Sequence, residues 1–320
     1  HAYTTHLHRL LPLNKTQFLN CINMQLTTPI EISRKLISIT HEDGMVLMGS
    51  CFADNIGGKL QEAHFRCCIN PFGTLYNPMS VSQALKDIIA CRNYSATDSE
   101  IFNSENIWHS WMHHSRFSAD SAESLVENIN ASIRTAHEHL INSSLLVITL
   151  GSSYVYRLKE DNRIVANCHK MSETLFNRNR LNTDDIVNEW LPLLDELHNT
   201  NPHLKVMFTV SPIRHKRDGL HANQLSKATL LLAVDRLCEL RKELCLYFPA
   251  YEIMMDELRD YRFYADDMVH PSPLAVEYIW ERFCTAFFDR KTTEKVTEWR
   301  KFEAAQRHRS IIDKVKQSPS

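Results

Sequence analysis

Glycine is scarce in this sequence, at seven of 320 residues, and its scarcity excludes several common ligand sites. The sequence contains no Gly-x-Gly-x-x-Gly segment, no Walker loop and no Gly-x-Ser-x-Gly elbow. It therefore lacks the signatures of dinucleotide binding, nucleotide-phosphate binding and the α/β-hydrolase nucleophile turn. It also lacks an apolar run of roughly 18 residues, the length that a membrane-spanning helix needs.

Cysteines and charges narrow the class further. The nine cysteines are scattered and form no Cys-x-x-Cys pair, which argues against a zinc ribbon or a thioredoxin-type site. Such a set predicts free thiols in a reducing compartment, and hence a cytoplasmic protein. A formal net charge of -2 favours neither nucleic acid nor an anionic membrane as partner. We expect no cofactor.

Apolar runs alternate with helical patterns along most of the chain. Strands are predicted at 44–48, 65–69, 145–150, 205–210 and 244–248. Helical patterns lie between these runs, and Ser272-Pro273 is typical of the start of a last helix. Near-continuous apolar strands separated by helices predict an α/β protein with a parallel sheet covered on both faces.

Small and polar residues follow four of these strands. The segments are Gly49-Ser50-Cys51, Asn70–Gly73, Gly151–Ser153 and Ser211-Pro212. Ligands of parallel α/β sheets bind beyond the carboxyl ends of the strands. We therefore expect a functional site where these segments meet.

The first segment, Gly49-Ser50-Cys51, combines a sharp turn with nucleophile-type side chains at a helix start. Free backbone N–H groups and the positive end of the helix dipole can hold an oxyanion there, and they lower a cysteine pKa. The alternative is structural, with a serine cap beside a buried cysteine.

The segment Asp267-Met268-Val269-His270 has the spacing of a carboxylate-oriented base. Asp267 can bond the imidazole Nδ1 of His270 and leave Nε2 to accept a proton. The alternative is a helix-entry turn stabilised by polar side chains.

Several segments together resemble the GSCFA domain family. They are Gly49–Ala53, Asn70–Gly73 with Tyr76–Pro78, Trp108–Ser115 and Ser211–His215, and the resemblance covers roughly residues 24 to 290. It implies a three-layer α/β/α, flavodoxin-like fold similar to the SGNH/GDSL hydrolases. It also implies a nucleophile after the first strand and a carboxy-terminal Asp-x-x-His.

The sequence departs from the hydrolase pattern at two places. Gly-Asp-Ser is replaced by Gly49-Ser50-Cys51, so that spacing favours Cys51 as nucleophile while side-chain type favours Ser50. The usual Gly-x-Asn-Asp block is replaced by Gly151-Ser152-Ser153-Tyr154, which has no amide donor. Substitutes for the oxyanion donor are predicted among four residues: Ser153, Asn70, Asn77 and the backbone N–H of Gly73.

Two further segments contain candidate substrate-binding residues. The stretch Trp108–Ser115 is interpreted as an inserted loop or lid, with His109 and His113 as candidates and a packed surface loop as the alternative. Its histidines have no carboxylate at fixed spacing, so no metal site is predicted. In the cluster of residues 214–217, Arg214 and His215 can meet an anionic substrate group such as phosphate or a uronic acid. The alternative is a solvated loop.

The combined prediction is a hydrolase that acts on a small-molecule or saccharide ester through an acyl-enzyme. The alternatives are an O-acyltransferase with a saccharide acceptor and a non-catalytic binding protein of the same fold. The natural chain is expected to begin at Met24, so that residues 1–23 form a non-native or disordered extension. Residues 24–290 are predicted to form the α/β domain, and residues 291–320 a charged helical tail.

Overall fold

The computed structural model describes residues 27–33 and 37–302. The strands, in chain order, are Gly44–Gly49 (β1), Arg66–Ile69 (β2), Ile101–Ser104 (β3), Ile107–Ser110 (β4), Leu145–Leu150 (β5), Tyr154–Leu158 (β6), Ile164–Val165 (β7), Phe176–Arg180 (β8), Lys205–Val210 (β9) and Cys245–Tyr247 (β10). The helices are Cys51–Glu62 (α1), Pro78–Ile89 (α2), Ala122–Asn142 (α3), Thr183–Thr200 (α4), Leu220–Leu240 (α5), Ala250–Glu252 (α6), Pro273–Phe287 (α7) and 290–302 (α8).

A five-stranded parallel sheet forms the centre, in the order β10-β9-β5-β1-β2. Read from the other edge and numbered by themselves, these strands run 2-1-3-4-5, the order of flavodoxin-like sheets. The predicted fold class is therefore confirmed. The order reverses between β1 and β5, and in sheets of this kind a crevice for ligands lies outside the carboxyl ends of the strands at that point.

Two apolar layers cover the sheet, because side chains alternate between the faces of each strand. Met45 and Leu47 of β1 pack in a core with α1 and α7, whereas Val46 and Met48 pack in a larger core with α2 to α5. All six residues of β1 are buried. Burial on both faces explains why the strands are continuous apolar runs in the sequence.

The segment Trp108–Ser115 differs from the predicted loop. Its first residues form β4, which pairs with β3 in an antiparallel hairpin. Trp111 then stacks on Phe102 with 3.7 Å between ring centroids. The stacking buries Trp111 against the partly buried Phe102, so the segment is an ordered part of the scaffold rather than an open loop.

A second antiparallel sheet, β7-β6-β8, was not predicted. Strand β8 has the polar sequence Phe-Asn-Arg-Asn-Arg and pairs along its whole length with β6. Such a strand has no apolar pattern of its own, and it forms because β6 supplies the backbone partners.

The charged helix α8 packs on the body. Trp299 contacts the rings of His41 and His64, each with 4.6 Å between centroids. The predicted extension 1–23 and the part of the predicted tail beyond residue 302 lie outside the described residues. Within residues 27–33 and 37–302, no helix is long and apolar enough to cross a bilayer.

Candidate active site

The turn after β1 is fixed by contacts with both neighbouring strands. Gly49 has a φ of +133°, and a Cβ there would collide with the carbonyl oxygen of Thr149 in β5. The N–H of Gly49 donates to Asn70 Oδ1 at 2.9 Å, and the N–H of Ser50 donates to the Thr149 carbonyl at 3.0 Å. The glycine is therefore required by both conformation and space.

Ser50 and Cys51 occupy different environments. Ser50 is 1% exposed, and its Oγ accepts the N–H of Phe52 at 3.4 Å as the cap of α1. Cys51 is half-buried and lines a cleft at the carboxyl edge of the sheet. The hydroxyl is thus used as a helix cap, and Cys51 is the residue of the pair that lines the cleft.

The thiol of Cys51 is not activated by its surroundings alone. Burial, together with the nearby Asp54 carboxylate, raises the pKa of Cys51 above its ordinary value. The backbone N–H groups of Cys51 and Phe52 at the helix start oppose this rise in the pKa only in part. A base is therefore needed to form the thiolate near neutral pH.

Asp267 and His270 form the arrangement expected of such a base. The Nδ1 of His270 lies 2.5 Å from Asp267 Oδ2, and Asp267 Oδ1 accepts the N–H groups of Val269 and His270 at 3.0 Å each. These hydrogen bonds hold the pKa of Asp267 well below its usual range. The ionised carboxylate orients the ring and leaves Nε2 available, with both side chains 49% exposed.

The loop that carries Asp267 and His270 is attached to the loop after β9. The N–H of Arg214 donates to the Val269 carbonyl at 3.1 Å, and Lys216 Nζ donates to the Asp267 carbonyl at 2.7 Å. These two bonds bring the base loop to the carboxyl edge of the sheet, next to the turn after β1.

Cys51 and His270 line the same cleft, which has a volume of ≈ 360 Å³. Three tyrosines, four cationic side chains and one carboxylate form much of the remaining wall: Tyr76, Tyr154, Tyr156, Arg178, Arg214, Lys216, Arg217 and Asp218. Asn77 and His215 also line it. The structure therefore brings together the predicted residues Cys51, His270, Asn77, Arg214 and His215.

Part of this wall was missed from the sequence. Tyr154 and Tyr156 lie on β6, and Arg178 of β8 stacks over the Tyr154 ring at 4.0 Å from its centroid. The alternating Tyr-Val-Tyr pattern was the available signal for a strand that presents two rings on one face.

Three predicted oxyanion donors are engaged in the scaffold. Asn70 accepts from Gly49 and donates Nδ2 to Asp54 Oδ1 at 2.7 Å, and the N–H of Gly73 donates to the Asn70 carbonyl at 2.7 Å. Ser153 is fully buried, and its Oγ donates to Ser226 Oγ at 3.1 Å. Asn70, Gly73 and Ser153 thus hold the turns together and do not line the cleft.

Asn77 has two roles at once. Its Oδ1 accepts the N–H of Ser80 at 2.8 Å and its Nδ2 donates to Ser80 Oγ at 2.9 Å, which caps α2. One hydrogen of the Nδ2 group remains for a ligand in the cleft.

The predicted substrate-binding residues His109 and His113 lie away from this cleft. His113 is 1% exposed and stacks on Phe72 with 4.2 Å between centroids, and burial lowers the pKa of His113 to about 3. His109 pairs its Nδ1 with Ser118 Oγ at 2.7 Å. Both rings pack the region around the hairpin. Among the described residues, no group of three His, Cys, Asp or Glu side chains could hold a metal ion.

A buried lysine behind the cleft was also missed from the sequence. Lys227 of α5 is 1% exposed, and its Nζ donates to the carbonyls of Gly151 and Ser211 at 2.7 Å each. Burial, together with the charge of Arg214, lowers the pKa of Lys227 to about 7. The ammonium ties the carboxyl ends of β5 and β9 together. Its signal was a charge in line with the apolar stripe of α5.

The sequence profile of the GSCFA family matches residues 44–283, from the first strand into the last helix of the α/β domain. The chain belongs to the GSCFA family. The matched range of this GSCFA protein contains both the Gly49–Cys51 turn and the Asp267–His270 loop. No protein with a curated description matches the chain.

Three solved structures resemble this GSCFA protein at low sequence identity. An acetyl xylan esterase from Butyrivibrio proteoclasticus is 10% identical with a TM-score of 0.38, and the match covers 77% of this chain and 63% of the esterase. A carbohydrate esterase family 2 enzyme with a carbohydrate-binding domain, from Corynascus thermopiles (Myceliophthora fergusii), is 8% identical with a TM-score of 0.37, and the match covers 81% and 68% of the two chains. A further carbohydrate esterase is 11% identical with a TM-score of 0.33, and the match covers 77% and 68%.

Proposed function

We propose that this GSCFA protein is an ester hydrolase that forms an acyl-enzyme on Cys51. The observation that supports this function is that Cys51 and His270 line one cleft, with His270 oriented by Asp267. A thiol, an imidazole and a carboxylate arranged in this way form a nucleophile, a base and the group that orients the base.

The chemistry proceeds in two half-reactions. His270 Nε2 takes the proton of the Cys51 thiol, and the thiolate attacks the ester carbonyl to form a C–S bond. The tetrahedral intermediate expels the alcohol, which receives the proton from His270. Water, deprotonated by His270, then attacks the thioester, and the acid leaves as the Cys51 thiolate is released.

The oxyanion is held at the start of α1. The backbone N–H of Cys51 belongs to the first residue of α1, where the positive end of the helix dipole favours negative charge. The remaining N–H of Asn77 Nδ2, a residue that also lines the cleft, is the second donor. Asn77 thus takes the role of the amide that is missing after β5.

The substrate is a small-molecule or saccharide ester. The rings of Tyr76, Tyr154 and Tyr156 line the cleft, with the Arg178 guanidinium over the Tyr154 ring, so that the cleft combines aromatic surface with cationic and hydroxyl groups. Such surfaces suit a sugar ring, which has apolar faces and a polar rim. An acyl group on one hydroxyl of the sugar would meet Cys51.

Acyl transfer is the second candidate, because the cleft presents a thiol rather than the Ser50 hydroxyl. A thioester passes its acyl group readily to an acceptor alcohol. Turnover of an acetyl thioester that depends on an added saccharide acceptor supports transfer, whereas release to water alone supports hydrolysis.

The test compares Cys51→Ala, Ser50→Ala and His270→Ala with the wild-type protein on p-nitrophenyl acetate. We expect loss of turnover in Cys51→Ala and His270→Ala, and continued turnover in Ser50→Ala. Turnover that survives in Cys51→Ala would rule out the thiol mechanism. A wild-type protein that binds esters but neither hydrolyses nor transfers them would be a binding protein of the same fold.

A further inference from the structure

One wall of the cleft carries more positive charge than its own acidic groups neutralise. Arg178 pairs with Asp218, with Nη2 2.5 Å from Oδ2, and Arg217 pairs with Glu173. In the described part of the chain, Lys216 forms its hydrogen bond with a neutral acceptor, the Asp267 carbonyl. The wall thus contains paired cations together with cations that have no carboxylate partner.

Arg214 is the unpaired cation nearest to the base loop. Within residues 27–33 and 37–302, no carboxylate lies within ion-pair distance of its guanidinium, and its Nε is buried without a hydrogen-bond acceptor. A buried donor without an acceptor costs free energy that a bound ligand can recover. Arg214 is held in place, because its own N–H donates to the Val269 carbonyl at 3.1 Å.

Two further polar side chains, Lys227 and His215, lie near Arg214. The fully buried Lys227 donates to two carbonyls, and the charge of Arg214 contributes to the lowered pKa of Lys227, so the two groups lie close together. The Nε2 of His215 is also buried without a partner in the described part of the chain. Burial lowers the pKa of His215 to about 4, so the ring is neutral near pH 7 and can donate or accept a hydrogen bond.

Arg214 also stands between two cavities. It lines the cleft with Cys51 and His270, and it lines a second groove of ≈ 460 Å³ with Met254, Tyr261 and Met268. A ligand group held by Arg214 would therefore sit beside the reacting atoms, with room for the rest of the molecule in the groove.

We propose that Arg214 binds an oxyanion substituent of the substrate, a carboxylate, sulfate or phosphate group carried next to the ester. This inference rests on the proposed ester chemistry and adds the substrate class. A guanidinium binds such groups through two parallel hydrogen bonds, and His215 supplies a further polar contact. Loss of such a contact reduces affinity by about 10- to 100-fold.

The kinetic test uses aryl acetates whose para substituent is anionic, neutral or cationic, and it compares ratios of kcat/KM between variants so that differences in leaving-group reactivity cancel. The substrates are phenyl acetate, 4-acetoxybenzoate and (4-acetoxyphenyl)trimethylammonium, measured with the wild-type protein, Arg214→Gln and Arg214→Lys. We expect the wild-type protein to prefer the anionic ester, and Arg214→Gln to lower the ratio of anionic to neutral kcat/KM by about 10- to 100-fold. Arg214→Lys keeps the charge but cannot form two parallel hydrogen bonds. Its ratio of anionic to neutral kcat/KM should therefore fall between those of the wild-type protein and Arg214→Gln.

The control is Arg236→Gln on α5, which removes an exposed guanidinium paired with Asp184. Its ratio should match that of the wild-type protein. A wild-type protein that hydrolyses the neutral and cationic esters as well as the anionic one, or an unchanged ratio in Arg214→Gln, would overturn the inference. If Arg214→Gln does not fold, Arg214→Lys decides by the same ratio.

Direct binding separates this inference from the proposed function. Calorimetric titration with benzoate, sulfate and inorganic phosphate should show binding to the wild-type protein. The affinity of Arg214→Gln for the same anions should be lower by about 10-fold or more. Binding in the absence of any ester turnover would support the anion site and reject the esterase. Turnover of neutral esters without anion binding would reject the anion site alone. The three probes also identify which oxyanion is bound most tightly.

Discussion

The two segments that meet at the cleft are built in opposite ways. The Gly49–Cys51 turn is buried and bonded to Thr149 and Asn70 on the neighbouring strands. The Asp267–His270 loop is about half exposed and is held largely by hydrogen bonds within itself. Changes at the buried Gly49 and Ser50 are therefore expected to act on stability, whereas changes at the half-buried Cys51 and in the exposed Asp267–His270 loop are expected to act mostly on chemistry.

The largest expected effect is on activity, at the thiol. Cys51→Ala should lower kcat/KM for p-nitrophenyl acetate by at least about 10³-fold, because removal of a nucleophile leaves only binding and the oxyanion donors. Thermal unfolding should change little, since the alanine keeps the helix and removes one half-buried sulfur. Steady-state kinetics and the melting temperature test this prediction. An active Cys51→Ala would show that Cys51 is not the nucleophile.

The next effect separates two glycines of the same region. Gly49→Ala should lower the free energy of unfolding by about 3 kcal/mol or more, because φ is positive and the methyl group meets the Thr149 carbonyl. Gly58→Ala in α1 is the matched control, because its Cβ would meet nothing within 4 Å. That change should stabilise the protein by about 0.5–1 kcal/mol. Urea denaturation measures the free energy of unfolding of both variants. Equal changes in the two would contradict the conclusion that conformation and space require glycine at position 49.

In the Asp267–His270 loop, Asp267→Asn should lower activity and leave the stability of the protein nearly unchanged. The amide cannot stabilise the imidazolium or hold the same tautomer, so kcat should fall by about 10²- to 10⁴-fold. The unfolding midpoint in urea at pH 7 should stay close to that of the wild-type protein, because the loop is exposed. A large loss of stability with little loss of kcat would show that Asp267 serves the fold rather than the reaction.

A smaller effect concerns pH and the buried His113. The unfolded chain binds a proton on this histidine below about pH 6.5, whereas the folded protein does so only below about pH 3. Its contribution to stability is therefore complete above pH 6.5 and is lost as the pH falls, by up to about 1.4 kcal/mol per pH unit. His113→Gln should have a shallower fall in unfolding free energy between pH 6 and 4 than the wild-type protein, whatever its absolute stability.

The same substitution at the exposed His221 is the control, and the pH slope of His113→Gln is compared with that of His221→Gln. Equal slopes for His113→Gln and the wild-type protein would show that the buried ring does not resist protonation.

The smallest effect is expected at the serine beside the thiol. Ser50→Ala removes the cap of α1 and should cost about 1 kcal/mol of unfolding free energy, since a capping side chain typically contributes that much. Its acyl-enzyme chemistry should persist. Urea denaturation and steady-state kinetics measure the two quantities separately, and loss of turnover without loss of stability would transfer the nucleophile role to Ser50.

The fold could be predicted because both faces of its sheet are buried. The strands β1, β5 and β9 are mostly apolar, and their runs stop at Gly49, before Gly151 and before Ser211, so strand limits and the position of the site are local properties of the sequence. The Asp267–His270 pair could be predicted for the same reason, since its hydrogen bonds join residues two and three positions apart.

The remaining site residues depend on contacts between distant segments. Lys227 bonds to Gly151 and Ser211, and Arg178 reaches Asp218, at sequence separations that no local pattern reveals. The polar β8 forms only because β6 pairs with it. The roles of Asn70 and Gly73 were misplaced for a related reason, because composition gave no sign that their polar groups bond to each other and to the turn at Gly49.

The central claim is that the acyl group is carried by Cys51, and trapping the acyl-enzyme tests it most directly. The wild-type protein is mixed with p-nitrophenyl acetate, quenched in acid and mapped by peptide mass spectrometry, with and without neutral hydroxylamine. We predict one acetyl group on Cys51 that hydroxylamine removes, as expected of a thioester, and that is present in Ser50→Ala and absent from Cys51→Ala. A hydroxylamine-resistant acetyl group on Ser50, or an actively hydrolysing protein without acetylated Cys51, would contradict the account.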